Sequence, residues 1–116
     1  LIEIGRYPDA ITALRRAIEI EPAYTEAFYF LGYALLKTGD YSGALEAFDR
    51  NLARDGSNAS GHFNRGIALE KTKRYGEALE SFDKALIYDP ENALAFYHKG
   101  KAYADLERYA REPDDV

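Results

Sequence analysis

The chain has 116 residues, of which 47% are hydrophobic, 14% aromatic and 30% charged; this length suits one folding unit and leaves no room for a catalytic domain beside a second module. No apolar run approaches the ~18 residues of a membrane span, so no membrane insertion is expected. The net charge of −5 argues against nucleic acid as a partner, and the absence of cysteine excludes disulfides, thiolate zinc sites and thiol nucleophiles.

The chain starts at Leu1 and contains no methionine, which indicates a processed protein or a piece of a longer one. The triplet Asn58-Ala59-Ser60 matches a glycosylation signal, but Asn58 is explained as a helix cap and no secretory context is visible. A cytoplasmic location is therefore the expectation.

The first helical unit is incomplete. Only residues 1–4 remain of its first helix, and Pro8 sits where the second helix starts, a position at which the missing N–H does no harm. The next unit starts with a helix from Thr25 that stops at Gly39, because glycine favours the left-handed conformation just past a helix end. These patterns predict helices joined by short turns.

The second helix of this unit carries Ala44, Leu45, Phe48 and Leu52 on one apolar stripe and ends before Asp55. Asn58 and Asn92 are placed to cap the helices that follow them. No alternating strand pattern of useful length is present. The sequence therefore predicts an all-α fold.

A period of 34 residues runs through these elements, as shown by Tyr7, Tyr41, Tyr75 and Tyr109. The period predicts one domain over 1–116, with units at 1–24 (partial), 25–58, 59–92 and 93–109 (partial), and a tail at 110–116. Three glycines recur in mid-helix, where each costs about 0.5–1 kcal/mol relative to alanine. Close helix packing would offset that cost, so we expect Ala44 and Ala78 to face the glycines and aromatic rings to fill the gaps. The predicted packing residues are Gly32, Ala44, Phe48, Gly66, Ala78, Phe82 and Gly100.

The motif in each unit resembles the tetratricopeptide repeat. In 25–58 it comprises Phe28, Leu31-Gly32, Leu35, Tyr41, Ala44 and Phe48, and in 59–92 it comprises His62, Arg65-Gly66, Leu69, Tyr75, Ala78, Phe82 and Pro90. Arg65 and Lys99 replace the usual leucine, Asn51 an alanine and Gly56 a proline, and we expect these departures to weaken single contacts. The resemblance implies a right-handed α-solenoid of antiparallel helix pairs, with two complete repeats flanked by two partial ones.

The resemblance also implies a function: first helices of successive repeats line a concave groove that accepts a peptide. The chain is thus expected to be a non-enzymatic protein–protein interaction scaffold. Tyr29, Phe63 and Tyr97 recur every 34 residues as an aromatic ladder, although such a ladder is also compatible with packing between neighbouring helices. The residues that would line the groove are Tyr29, Phe30, Tyr33, Lys37, Phe63, Asn64, Ile67, Lys71, Tyr97, His98 and Lys101.

One branch of that family holds a partner's terminal carboxylate with two lysines, two asparagines and an arginine. The matching positions here are Tyr29, Tyr33, Asn64, Leu94 and His98, and only Asn64 agrees. Acidic C-termini of chaperones are therefore not the expected ligands. A peptide with apolar or aromatic side chains fits better, and a few anchors worth roughly 1.5–3 kcal/mol each predict micromolar affinity.

The ends of the array support an alternative. Phe96, Tyr103 and Leu106 at one end, and Leu14 and Ile18 at the other, lack the helices that would cover them, while Glu112 and Pro113 oppose a normal helix after the last unit. Head-to-tail association of two copies would supply the missing cover. A fragment of a longer array with frayed ends is an equally open interpretation.

Residues suited to chemistry are few. His62 and His98 have no second histidine or cysteine at metal-ligand spacing, so no metal is expected; His62 more simply packs between helices and His98 faces the groove or solvent. Carboxylate pairs such as Glu77 with Glu80 fall on predicted exposed faces and lack the desolvated pocket that catalytic acids need. The sequence predicts neither an enzyme nor a cofactor.

Overall fold

A computed structural model of the protein describes residues 6–111. This part of the chain holds six α-helices and no strand. The helices are α1 (Arg6–Ile20), α2 (Thr25–Lys37), α3 (Tyr41–Arg54), α4 (Ala59–Lys71), α5 (Tyr75–Tyr88) and α6 (Ala93–Arg111). Each helix packs on the next, and the body extends over 49 × 32 × 30 Å. The predicted all-α solenoid is confirmed.

The turns follow the sequence signals closely. Gly39 ends α2 with φ of 88°, and Lys73, one period later, adopts φ of 63° in the same role. A lysine in the left-handed region is strained, at a cost of about 1–2 kcal/mol. Asn58 and Asn92 cap the helices that follow, each accepting a backbone N–H at 3.1 Å. The two predicted caps are therefore confirmed.

Two helix pairs are closed by a phenylalanine ring that lies on a glycine. A Cβ placed on Gly32 would lie 2.7 Å from the Phe48 ring, and one on Gly66 would lie 2.6 Å from the Phe82 ring. Both rings are completely buried. Ala44 and Ala78 are also fully buried, but the group that faces the glycine is the ring rather than the alanine methyl. The aromatic side chain therefore sets the close approach of each pair.

The packing role predicted for Gly100 is wrong within the described residues. A Cβ at Gly100 would meet no atom within 4 Å. The helix that would close on this glycine would have to follow α6, and residues 112–116, including Glu112 and Pro113, lie outside the described part of the chain. Gly66 and Gly100 hold equivalent positions in the repeat, but only Gly66 is covered by a phenylalanine ring from the next helix.

Departures from the repeat motif add polar contacts between neighbouring helices, where we expected weakened ones. Arg65 on α4 donates to the Asp49 carboxylate at 2.7 Å and to the Ser81 hydroxyl at 2.8 Å. One period later, Lys99 Nζ lies 2.8 Å from Asp83 Oδ1, and this hydrogen bond raises the pKa of Lys99. The same type of ion pair thus connects α3 with α4 and α5 with α6.

Asn51 makes a further polar connection, in a column where alanine is usual. Its buried Nδ2 donates to the Thr25 carbonyl at 3.1 Å, and its Oδ1 accepts from Asn58 at 3.0 Å. Buried amides are costly unless hydrogen-bonded, and both ends of this one are. Asn51 therefore links α3 to the starts of α2 and α4.

The two ends of the array differ in their cover. Phe96 and Tyr103 on α6 are 53% and 56% exposed and Leu106 is 36% exposed, as predicted. Leu14 and Ile18 on α1 are instead partly buried against the core. The prediction of an uncovered α1 is corrected accordingly, because α2 packs on the helix that carries these side chains.

Candidate functional site

The first helices of successive units form one continuous surface. Helices α2 and α4 contact each other directly, and so do α4 and α6, because the intervening helices α3 and α5 pack behind them. A cavity of about 540 Å³ lies on this surface. Its walls are Leu36, Lys37, Tyr41, Phe63, Asn64, Ile67, Glu70, Lys71, Leu94, His98 and Lys101. We call this cavity the groove.

Seven of the residues proposed from the sequence line the groove: Lys37 on α2, Phe63, Asn64, Ile67 and Lys71 on α4, and His98 and Lys101 on α6. The structure adds Leu36, Tyr41, Glu70 and Leu94. Five of the lining residues are aliphatic or aromatic, and the other six are polar or charged. The volume falls in the range of ligand-binding cavities, and the lining combines apolar with charged side chains.

The aromatic ladder divides between packing and exposure. The Tyr29 ring lies 5.1 Å from Phe30 and 5.9 Å from Phe48, and its hydroxyl accepts a hydrogen bond from Asn64 Nδ2 at 3.1 Å. Burial raises the pKa of Tyr29, partly offset by the bond from Asn64. Tyr29 therefore supports Asn64 from beside the groove and does not line it.

The other two rungs differ from Tyr29. The partly buried Phe63 ring contacts the rings of Phe82, at 5.8 Å, and His98, at 5.7 Å. Tyr97 is 60% exposed and contacts His98 edge-on at 5.0 Å. Phe63 lines the groove, whereas Tyr97 does not. The alternative of packing between helices thus describes Tyr29, which is partly buried outside the groove, and it describes Phe63 in part.

Phe30 does not line the groove, contrary to the prediction from the sequence. It is 55% exposed and lines a separate cavity of about 230 Å³ beside α1, together with Leu14 and Tyr24. Each residue of a helix is turned about 100° from its neighbour, so Phe30 points toward the preceding helix when Tyr29 points along the row of first helices. Tyr33 also lies toward α1, with its ring 6.4 Å from that of Tyr7 and beneath Lys37 Nζ at 5.2 Å.

A buried acidic residue is the main feature that sequence reasoning missed. The Glu70 side chain is only 8% exposed; its Oε1 lies 3.1 Å from His98 Nδ1 and its Oε2 lies 3.6 Å from Lys101 Nζ. Oε2 makes no hydrogen bond in the described part of the chain. The negative charge of Glu70 is also the main reason that the pKa of Lys101 is raised. The Lys101 ammonium lies 3.5 Å from the Asp105 carboxylate as well.

The two histidines have different surroundings in the structure. The His98–Glu70 pair resembles the orienting pair of a general base, but no serine, threonine or cysteine lines the groove for it to activate. No group of three or more histidines and carboxylates within residues 6–111 is arranged to hold a metal ion. His62 is buried elsewhere, where its Nε2 lies 2.8 Å from the Gly56 carbonyl oxygen and its ring stacks on Tyr88.

None of the six helices described here is both long and apolar enough to cross a bilayer.

Solved structures with this arrangement of helices include tetratricopeptide repeat proteins. A crystal structure of MamA protein superposes with a TM-score of 0.87 at 25% identity over 90% of this chain, which spans 57% of that protein. YrrB, described as a TPR protein with an unusual peptide-binding site, gives a TM-score of 0.78 at 28% identity over 84% of this chain and 50% of YrrB. The first TPR domain of Spaghetti (RPAP3), solved with the HSP90 peptide SRMEEVD, gives 0.86 at 19% identity over 89% of this chain and 82% of that one.

The sequence gives the same assignment as the fold. A search among curated proteins finds no match. The family model described as tetratricopeptide repeat matches three overlapping segments, 1–59, 34–87 and 63–116, which together span the chain. The chain belongs to the tetratricopeptide repeat family.

Proposed function

We propose that this protein is an interaction scaffold whose groove binds a peptide or helix through apolar and aromatic side chains. The observation that carries the proposal is the groove itself, in which side chains from α2, α4 and α6 converge on one cavity of about 540 Å³. The similarity to YrrB, for which a peptide-binding site is stated, supports a role of this class. Binding involves no catalysis and needs no cofactor or metal.

The apolar part of the groove provides the affinity. Leu94 is 55% exposed, and Ile67 and Phe63 are partly buried, so a bound side chain would cover apolar surface that now faces water. A few such anchors at roughly 1.5–3 kcal/mol each, less the ordering of the peptide, correspond to micromolar affinity. The ligand class proposed here is a short segment with apolar or aromatic anchors.

A matched pair of variants tests this proposal. Leu94→Ala removes an exposed apolar side chain inside the groove, and Ile20→Ala removes one that is 67% exposed at the end of α1. Peptides selected from a random display library are titrated against both variants by calorimetry. We expect Leu94→Ala to weaken binding about tenfold and Ile20→Ala to leave it unchanged, with equal helical circular dichroism. Equal affinities for the two variants would place the ligand elsewhere.

The outer face of α6 favours a second candidate function, head-to-tail self-association. Phe96, Gly100 and Tyr103 occupy the columns that are covered by a partner helix in the other units, and here they face open space. Helix α1 carries Leu14 in the column of Phe48 and Phe82, and this side chain is only partly buried, so α1 of a second copy still has apolar surface that could pack on Gly100. Such an interface would complete a helix pair from two molecules.

Light scattering over a range of concentrations tests this second candidate. We expect association that weakens with Tyr103→Lys on the α6 face and persists with Ile87→Lys, a substitution at another exposed apolar side chain. A protein that stays monomeric at high concentration would contradict self-association and leave the peptide groove untouched.

A further inference from the structure

The charge of the groove is opposite in sign to that of the whole chain. The full sequence has 15 lysines and arginines against 20 acidic residues. The groove is lined by Lys37, Lys71 and Lys101 against the single acid Glu70. A concave surface with one predominant sign of charge attracts ligands of the other sign. The groove therefore favours acidic groups although the chain as a whole is acidic.

The single acid of the groove is buried against α6. The Glu70 side chain is more than nine-tenths buried, and Lys101 and His98 lie against its two oxygens. An entering peptide thus meets the Lys101 ammonium, which is 46% exposed, before it meets the carboxylate. Glu70 holds Lys101 at the wall and presents little negative charge of its own to the groove.

The three lysines of the groove come from three different helices. Lys37 lies over the Tyr33 ring at 5.2 Å on α2, Lys71 ends α4, and Lys101 is anchored on α6 by Glu70 and Asp105. Lys71 makes no ion pair within residues 6–111. A cation without a partner beside apolar surface is suited to a carboxylate that arrives with an apolar anchor.

We propose that the groove selects internal peptide segments in which glutamate or aspartate flanks an apolar or aromatic anchor, with Lys71 and Lys101 as the specificity-determining residues. This inference rests on the proposed function and deepens it. The lysines do not stand at the positions of the terminal-carboxylate grip considered above, where only Asn64 agrees. The groove therefore reads acidic side chains within a segment and does not require a free chain end.

The experiment uses a random peptide library displayed inside a carrier protein, so that both ends of every peptide are joined to the carrier and no terminal carboxylate is present. Selection is carried out with the natural chain, with Lys71→Gln, with Lys101→Gln, and with Lys84→Gln as a control. Lys84 is exposed on α5, outside the groove, and its substitution changes the net charge of the protein equally.

We expect acidic residues to be enriched beside apolar anchors with the natural chain and with Lys84→Gln. We expect that enrichment to fall with either groove variant, and a selected peptide to bind about two- to fivefold more weakly to each of them. The same peptide should lose affinity for the natural chain as salt is raised.

Two outcomes would overturn the inference alone. Selection of apolar peptides without acidic residues, or of basic ones, would leave a peptide groove whose specificity is not set by the lysines. Equal losses with Lys84→Gln would show that net charge, and not the groove, attracts the ligand. Failure of the proposed function would look different, because no peptide would be enriched or binding would be insensitive to Leu94→Ala.

Discussion

The α4–α5 pair and the helix α6 show what a partner helix contributes to the same sequence pattern. Gly66 is buried beneath the Phe82 ring, whereas Gly100, one period later, faces open space. His62 is 7% exposed and its equivalent Phe96 is 53% exposed. The repeat pattern thus specifies helices, and burial follows only where the second helix of the unit is in place.

The largest expected effect compares two phenylalanines. Phe82→Ala should lower the free energy of unfolding by about 3–5 kcal/mol, because it empties a fully buried site between α4 and α5. Phe96→Ala should lower it by less than about 1 kcal/mol, because that ring is already half in water. Urea unfolding at concentrations where the chain is monomeric measures both. Losses of similar size would mean that α6 is covered in solution.

Alanine substitutions at Gly66 and Gly100 should change the free energy of unfolding by smaller amounts and in opposite directions. Gly66→Ala forces the Phe82 ring to shift and should cost about 1–3 kcal/mol, partly offset by the better helix propensity of alanine. Gly100→Ala meets no neighbour and should stabilise the protein by about 0.5–1 kcal/mol. Thermal unfolding of the two variants gives the signs directly. A stabilising Gly66→Ala would show that the pair is less tightly closed than described.

The smallest expected effect is on the ionisation of Tyr29, which lies on α2 in the complete α2–α3 helix pair. Burial raises the pKa of Tyr29 above its ordinary value of 10.0 because the charged phenolate is disfavoured there. The resulting stabilisation is fully present below the unfolded pKa and is lost as pH rises through the folded one. Ultraviolet titration should show that Tyr29→Phe removes a late-ionising tyrosine from the folded protein. In denaturant the same substitution should remove a tyrosine that ionises at its ordinary pKa. If the tyrosine removed from the folded protein also ionised at the ordinary pKa, the burial of Tyr29 would be contradicted.

The sequence was sufficient for features that depend on neighbours along the chain. The turn at Gly39 and the caps at Asn58 and Asn92 are local, and the structure shows them where the residue types predicted them. Because the sequence repeats every 34 residues, the same local signals predicted helices and turns in every unit. The order of the helices and their pairing followed, because a short turn leaves each helix little choice but to pack on the next.

Features that depend on contacts between units were harder to predict. Glu70 occupies the column of the buried Leu36, and an acid in an apolar column was the signal that could have identified it. Its partners His98 and Lys101 lie on α6, 28 and 31 residues later, and the packing of α6 against α4 brings them together. The sequence predicts Phe30 in the groove because the residue is expected to be exposed. Exposure alone does not give the direction of a side chain, which also depends on the position of the residue around the helix.

The most direct test of a groove between α2, α4 and α6 is to titrate a selected peptide into the isotopically labelled chain and to follow each backbone amide by nuclear magnetic resonance. We predict that the largest shifts fall on α4 around Phe63, Asn64 and Lys71 and on α6 around His98, with little change along α1. Shifts confined to the outer face of α6 around Phe96 and Tyr103 would contradict the groove as the binding site.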